Sequence, residues 1–289
     1  MRSAIMGIMA YGALTGFASA APLPAPAPEP APQQIEVTAD QSLEWYQDQN
    51  MYVARGNAKA VRGTTTITAD LLTAHERAKA PDDKKTSVKA PKQNSTSGDI
   101  DKMTADGHVL IVRPNTRITG EHAVDDADAH VTTLTGNNLR YETDKQVVTA
   151  RDTLEYWDDK KIAVARGHAV AIKGNRHVEG DVLTAEFRAQ PNGQDQLYKM
   201  TATGNVTVIT GKDVVRGEKA VYNAAADVAI ITGHVRITRA DGTQLTGDVA
   251  ESNFATNQSR LMNDGSGRVR ALLPVKSDGS DSGKKGNAP

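Results

Sequence analysis

Downstream of residue 34, apolar and polar side chains alternate with a period of two in short runs rich in β-branched residues, as in Val206-Thr207-Val208 and Val235-Arg236-Ile237. That alternation puts successive side chains on opposite faces of a half-buried strand. After Ala20 no window of about 11 residues carries the 3.6-residue apolar spacing of an amphipathic helix. The pattern therefore predicts a nearly all-β fold.

The strands recur as a unit. Its start appears as ARGNA (54–58), ADGHV (105–109), ARGHA (165–169), ATGNV (202–206) and ITGHV (231–235). Its end appears as ITADLL (67–72), ITGEHA (118–123), VEGDVL (178–183), VRGEKA (215–220) and LTGDVA (245–250). Gly followed by Asn or His suits a position of positive φ or a bulge, so each unit is read as strand, corner, strand, with strands of about 5–7 residues. Parity places Val109, Ile111, Ile118, Val178, Leu183, Val206, Val208, Val215, Val235 and Ile237 inside. The Gly-Asp or Gly-Glu step predicts a bulge that shifts parity and turns Ala220 and Tyr222 inward.

A longer repeat encloses these units. A shift of 111 residues aligns Leu43–His75 with Leu154–Glu186 without a gap, matching LE, VARG and LTA. A shift of 97 aligns Met103, Gly107 and Val109 with Met200, Gly204 and Val206. The body is thus expected to be a tandem duplication, lobe 1 at 35–145 and lobe 2 at 146–275, with residues 79–98 inserted in the first. Such repetition fits an antiparallel jelly-roll-like stack or a parallel β-helix.

The flanks differ in character. Arg2, an apolar stretch from Ile5 to Phe17, and Ala18-Ser19-Ala20 read as a secretory signal peptide cleaved after Ala20, which implies export to the periplasm. Residues 21–34 alternate Ala and Pro and read as an extended tether. Segments 79–98 and 276–289 are charged, rich in Pro, Ser or Gly, and expected to be disordered.

Composition narrows the chemistry. The absence of Cys excludes disulfides, thiolate nucleophiles and Cys-ligated metals. With 34 basic and 35 acidic residues the net charge is −1, so no basic excess exists to neutralise nucleic acid. Aromatics are only 4%, leaving Thr, Val, Ala and Gly to fill the core. The seven His suggest a metal, yet His108, His168 and His234 occupy the post-glycine position that Asn57 and Asn205 fill elsewhere, which points to a turn. Asp70, Asp181 and Asp248 likewise recur once per unit, as structural acids do, whereas catalytic acids occur once per site. No nucleophile elbow, phosphate loop or dinucleotide fingerprint is present, so neither catalytic residue nor cofactor nor metal is expected. The aromatic pairs Trp45-Tyr46 and Tyr156-Trp157 stand at matching places, as core caps or as guards of a groove mouth.

The segments QQIEVTAD (33–40), GNAKAVRGTTTITADLL (56–72), TATGNVTVITGKDVVRGEKAVYN (201–223), ITGHVRITRADGTQLTGDVA (231–250) and RVRALLP (268–274) together resemble the OstA-like family of periplasmic lipopolysaccharide-transport proteins. The resemblance implies an elongated antiparallel twisted β-jellyroll whose apolar interior shields the acyl chains of lipid A between the inner and outer membranes. It implies partners reached through edge strands: an inner-membrane transporter component, an outer-membrane translocon barrel, and further copies joined head to tail. It carries over Ile35 and Val37 as first-strand lining and Val206, Val208 and Tyr222 as lining in the second copy. With Ile67, Leu72 and the residues placed inside by parity, these form the expected lipid-contact set. Competing expectations are an exported β-helical polysaccharide-active enzyme or a structural repeat protein. The first calls for a unique charged cluster on one rung, whereas here the charges recur with the repeat.

Overall fold

The computed structural model describes residues 35–77, 100–190, 195–256, 258–265 and 267–274. All of the described residues lie within Gln34–Pro289. The expected signal peptide, tether, insertion and C-terminal tail lie outside the described residues.

Eighteen strands form one hydrogen-bonded network. They are β1 (Glu36–Thr38), β2 (Ser42–Tyr46), β3 (Met51–Arg62), β4 (Thr65–Glu76), β5 (Ile100–Arg113), β6 (Thr116–Asp126), β7 (Val131–Thr135), β8 (Leu139–Glu142) and β9 (Val147–Ala150). There follow β10 (Thr153–Trp157), β11 (Ile162–Lys173), β12 (Arg176–Ala189), β13 (Asp195–Thr210), β14 (Asp213–Asn223), β15 (Val228–Thr238), β16 (Gln244–Asn253), β17 (Gln258–Met262) and β18 (Arg270–Leu272). A single 3-10 turn, Gln47–Gln49, is the sole helical element among the described residues. Among the described residues every strand pairing is antiparallel, which removes the parallel β-helix architecture.

The expected short strands are corrected by the structure. β3, β5, β11, β13 and β15 run unbroken through the Gly-Asn or Gly-His step, because the step is a bulge inside one long strand. Asn57, His108, His168, Asn205 and His234 all have φ between +42° and +48°, and the preceding glycines lie between +74° and +85°. This is the left-handed region that Asn and His tolerate. The bulge bends each strand so that its two halves join different ladders. The first sheet runs through β2, β3, β4, β5, β6, β7, β10, β11 and onward to β16 and β17. The second runs through β1, the other halves of β3 to β6, then β8, β9, β11 and onward to β16 and β18.

Where the two sheets meet, a corner row is closed. Ala58, Val109, Leu139, Ala169, Val206 and Val235 are at most 1% exposed. The residue across the ladder is small: Val206 faces Gly217 and Val235 faces Gly247. A Cβ at Gly217 would lie 2.6 Å from Ile231 Cγ2, so the bulky neighbour of the next strand requires glycine there.

Strand starts recur at the spacings of the sequence repeat. β3, β4, β9 and β10 correspond at a shift of 111 to positions Ile162, Arg176, Glu36 and Ser42 in the order β11, β12, β1 and β2. β5 and β6 correspond at a shift of 97 or close to it to β13 and β14. Between the copies, β7 pairs with β10 and β8 with β9, so both sheets continue across the junction.

Candidate functional site

The inner face carries two unbroken apolar rows, one residue per strand. On the first sheet the cross-strand partners from β2 to β7 are Leu43, Ala54, Leu72, Ala105, Ala123 and Leu134. From β10 to β17 they are Leu154, Ala165, Leu183, Ala202, Ala220, Ile231, Ala250 and Leu261. On the second sheet the row begins Val37, Ala60, Ile67, Ile111, Ile118, Tyr141 and Val148. It continues Ala171, Val178, Val208, Val215, Ile237, Leu245 and Ala271. Alternation would break either row if one strand slipped by a residue, so the register is strongly specified.

The expected lipid-contact residues fall into three environments. Val109, Val206 and Val235 belong to the closed corner, and Leu72, Leu183 and Ile111 are buried at 4–5% exposure. Ile35, Ile67, Ile118, Val178, Val208, Val215, Tyr222 and Ile237 are partly buried and pack against the core. Val37 is in the row but 38% exposed, because among the described residues β1 pairs on one side alone, with β3. The bulge after Arg216 does shift parity, bringing Ala220 and Tyr222 inward with Val215.

Of the first-sheet row, sequence reasoning placed Leu72, Leu183 and Ala220 inward and missed the other members. Its signal was present: the residue two before the corner glycine is Ala54, Ala105, Ala165, Ala202 or Ile231, always apolar. Alanine scores weakly in any strand pattern, and only the bulge makes it an inward position.

The recurrent acids have a structural partner one strand away. Asn57 Nδ2 donates to Asp40 Oδ2 at 2.8 Å, and Asn205 Nδ2 donates to Asp181 Oδ2 at 3.0 Å. His108 Nδ1 lies 2.8 Å from Asp70 Oδ2, and His234 Nδ1 lies 2.7 Å from Glu218 Oε1. Asn and His exchange because each offers a nitrogen to that carboxylate. Among the described residues no group of three or more His, Asp or Glu is arranged to hold a metal ion.

At the start of each copy an acid gathers the same donors. Ser42, Tyr46 and Arg55 donate to Glu44 at 2.7, 2.5 and 3.1 Å. Thr153, Trp157 and Arg166 donate to Glu155 at 3.0, 3.2 and 2.9 Å. Partial burial works against ionisation of Glu155, but these hydrogen bonds and the Arg166 charge hold its carboxyl below the ordinary range. In each aromatic pair one ring serves this outer network while the other, Trp45 or Tyr156, follows the inward row toward the open side of the groove. Trp45 stacks on Tyr52 at 5.9 Å. Tyr156 is pushed up to about 12 by burial and by Asp195, whose carboxylate accepts from its hydroxyl at 3.3 Å.

The open side also has cross-sheet contacts. Arg176, at the end of β12 in the second sheet, lies over the Phe254 ring at 4.3 Å and 3.7 Å from Asp227, both in the first-sheet hairpin ends. Tyr222 donates to Asp227 at 2.8 Å and meets Phe254 edge-on.

The described residues define an all-antiparallel β stack with continuous apolar rows on its inner face. The sequence pattern of the family described as "LptA/(LptD N-terminal domain) LPS transport protein" matches residues 36–152 and again 148–258, and the chain belongs to that family of lipopolysaccharide-transport proteins. A solved structure of LptH, the LptA-homologous periplasmic component of the lipopolysaccharide transport device of Pseudomonas aeruginosa, is 18% identical. That likeness has a TM-score of 0.37 and covers 45% of this chain and 95% of LptH. No curated protein matches the sequence.

Proposed function

We propose that this protein is a periplasmic carrier that holds lipopolysaccharide by its acyl chains between the two sheets and forms part of a bridge from the inner to the outer membrane. The observation that carries this is the pair of apolar rows, register-matched on every strand from β1 and β2 to β17 and β18. Burying one methylene contributes about 0.8 kcal/mol, so a few acyl carbons against Val178, Val208 and Val215 suffice to retain a lipid. Because the row repeats, one rung grips much like the next and a chain can advance without a deep trap. The two lobes, 35–145 and 146–275, act in this reading as two such modules fused in one polypeptide. The transporter component and the translocon barrel are reached through the open strands at either edge.

Photo-crosslinking from position 208 tests the proposal, with position 236 on the outer face and position 206 in the closed corner as controls. A lipopolysaccharide adduct at 208 and none at 206 or 236 is expected. Equal labelling at 208 and 236, or none at 208 in a folded protein, refutes the groove.

A further inference from the structure

Two residues outward from the second-sheet row, at the same inward parity, the open side of that sheet is cationic. Arg62 follows Ala60, Arg113 follows Ile111, Lys173 follows Ala171, Arg176 precedes Val178 and Arg239 follows Ile237. The strands between supply Thr65, Thr116 and Thr210, and Asp213 is the one acid of the set, accepting the Ala240 amide at 3.2 Å. In a chain of net charge −1 this row does not reflect a general basic excess.

Two further observations set it apart. Four outward cations are paired across or along the ladder, Arg55 with Glu44, Arg166 with Glu155, Arg140 with Glu142 and Lys199 with Glu186. Arg62, Arg113, Lys173 and Arg239 have no carboxylate within 4.0 Å among the described residues; only Arg176 reaches one, and it does so across the mouth. The row also points where a ligand would be. Arg176 lies over Phe254 of the opposite sheet. The Arg176 guanidinium thus reaches across the apolar rows.

We propose that this row is a phosphate-binding lip, at which an amphiphile with its chains between the sheets places its headgroup phosphates against Arg62, Arg113, Lys173, Arg176 and Arg239. This rests on the acyl-chain reading above and names the second half of the same ligand. Guanidinium forks match phosphate oxygens in pairs, and the charge-assisted bonds so formed are about twice as strong as neutral ones. Strands are about 4.8 Å apart, which separates the cations of β11 and β12 by one strand spacing and those of β3 and β5 by two. A headgroup moving along the groove therefore passes from one cation to the next. Asp227 holds Arg176 until a phosphate competes for it.

The test measures binding of lipopolysaccharide and of the same material stripped of phosphate by phosphatase, to the full chain and to an Arg113→Gln/Lys173→Gln/Arg176→Gln variant. Wild type is expected to favour the phosphorylated lipid by about tenfold or more, the variant to lose that preference yet keep the weaker binding of the stripped lipid. The matching Arg113→Lys/Arg176→Lys variant is expected to retain most of the preference, which separates charge from folding. Equal affinity of wild type for both lipids overturns the lip alone, whereas binding of neither overturns the acyl-chain reading too. Saturable binding of inorganic phosphate that is lost in the variant, without preference between lipids, assigns the row to free phosphate and refutes the headgroup role.

Discussion

A methyl group at Gly204 would sit 2.2 Å from Asp181 Oδ2 on a backbone held at φ +74°, whereas one at Gly211, φ +63°, would meet nothing within 4 Å. The left-handed penalty alone, about 1 kcal/mol, is expected for Gly211→Ala. Gly204→Ala adds the displaced Asp181–Asn205 hydrogen bond and is expected to cost about 2–4 kcal/mol in urea unfolding. Comparable losses from the two variants would show that the bulge contact contributes nothing. The same contact explains a titration. His234 is raised from its ordinary 6.5 by its hydrogen bond to Glu218 and by the Glu218 charge. A raised histidine stabilises the fold fully below its unfolded value and loses that contribution as pH climbs through its folded value. Proton NMR should give His234 a midpoint above 6.5, brought down by Glu218→Gln; an unchanged midpoint in the variant rules out the pairing. The left-handed corners were legible because Gly-Asn and Gly-His are local signals. Asp70 and Asp181 were readable as recurrent structural acids, but not what they hold, since Asp70 reaches His108 and Asp181 reaches Asn205 from 38 and 24 residues away.

At the scale of the strand, one bent segment serves two sheets, and neighbouring inward residues have different fates. Val206 is closed in the corner while Val208 is partly buried and packs against the core. Parity within a strand was readable; the row a residue joins was not, because the bend that separates rows was taken for a turn. The distinction predicts function. Val208→Asp is expected to abolish lipid loading with the circular dichroism spectrum preserved, because its charge can reach water at the open side. Val206→Asp places a carboxylate where exposure is 1% and is expected to unfold the chain. Leu134, 4% exposed at the β7–β10 junction, offers a measure of packing there. Leu134→Ala is expected to cost about 2–4 kcal/mol, against less than about 0.5 for Leu43→Ala on the open edge. Similar effects of both would mean that Leu43 is covered in solution.

At the scale of the molecule, the chain contains its own comparison for what an open edge looks like when paired. Leu43 and Leu154 are the same position in the two copies, yet Leu43 is 62% exposed on β2 and Leu154 is 8% exposed on β10. The difference is β7, which lies against β10 and sets Leu134 opposite Leu154. Among the described residues no strand pairs with β2 on that side. Trp45 at 57% and Tyr46 at 39% share the same open edge, and Val269, Leu272 and Leu273, at 45–67%, expose apolar surface at the opposite end of the ladder. Open strands with apolar side chains are templates for another chain, and joining unlike edges yields an open-ended series of copies. Analytical ultracentrifugation is therefore expected to show concentration-dependent species beyond a dimer. Leu43→Glu should return the protein to a monomer while leaving lipid loading of the single copy intact. Wild type that stays monomeric at high concentration, or a Leu43→Glu variant that associates as wild type does, would falsify head-to-tail pairing through β2 and leave the internal junction as the one place where these edges meet.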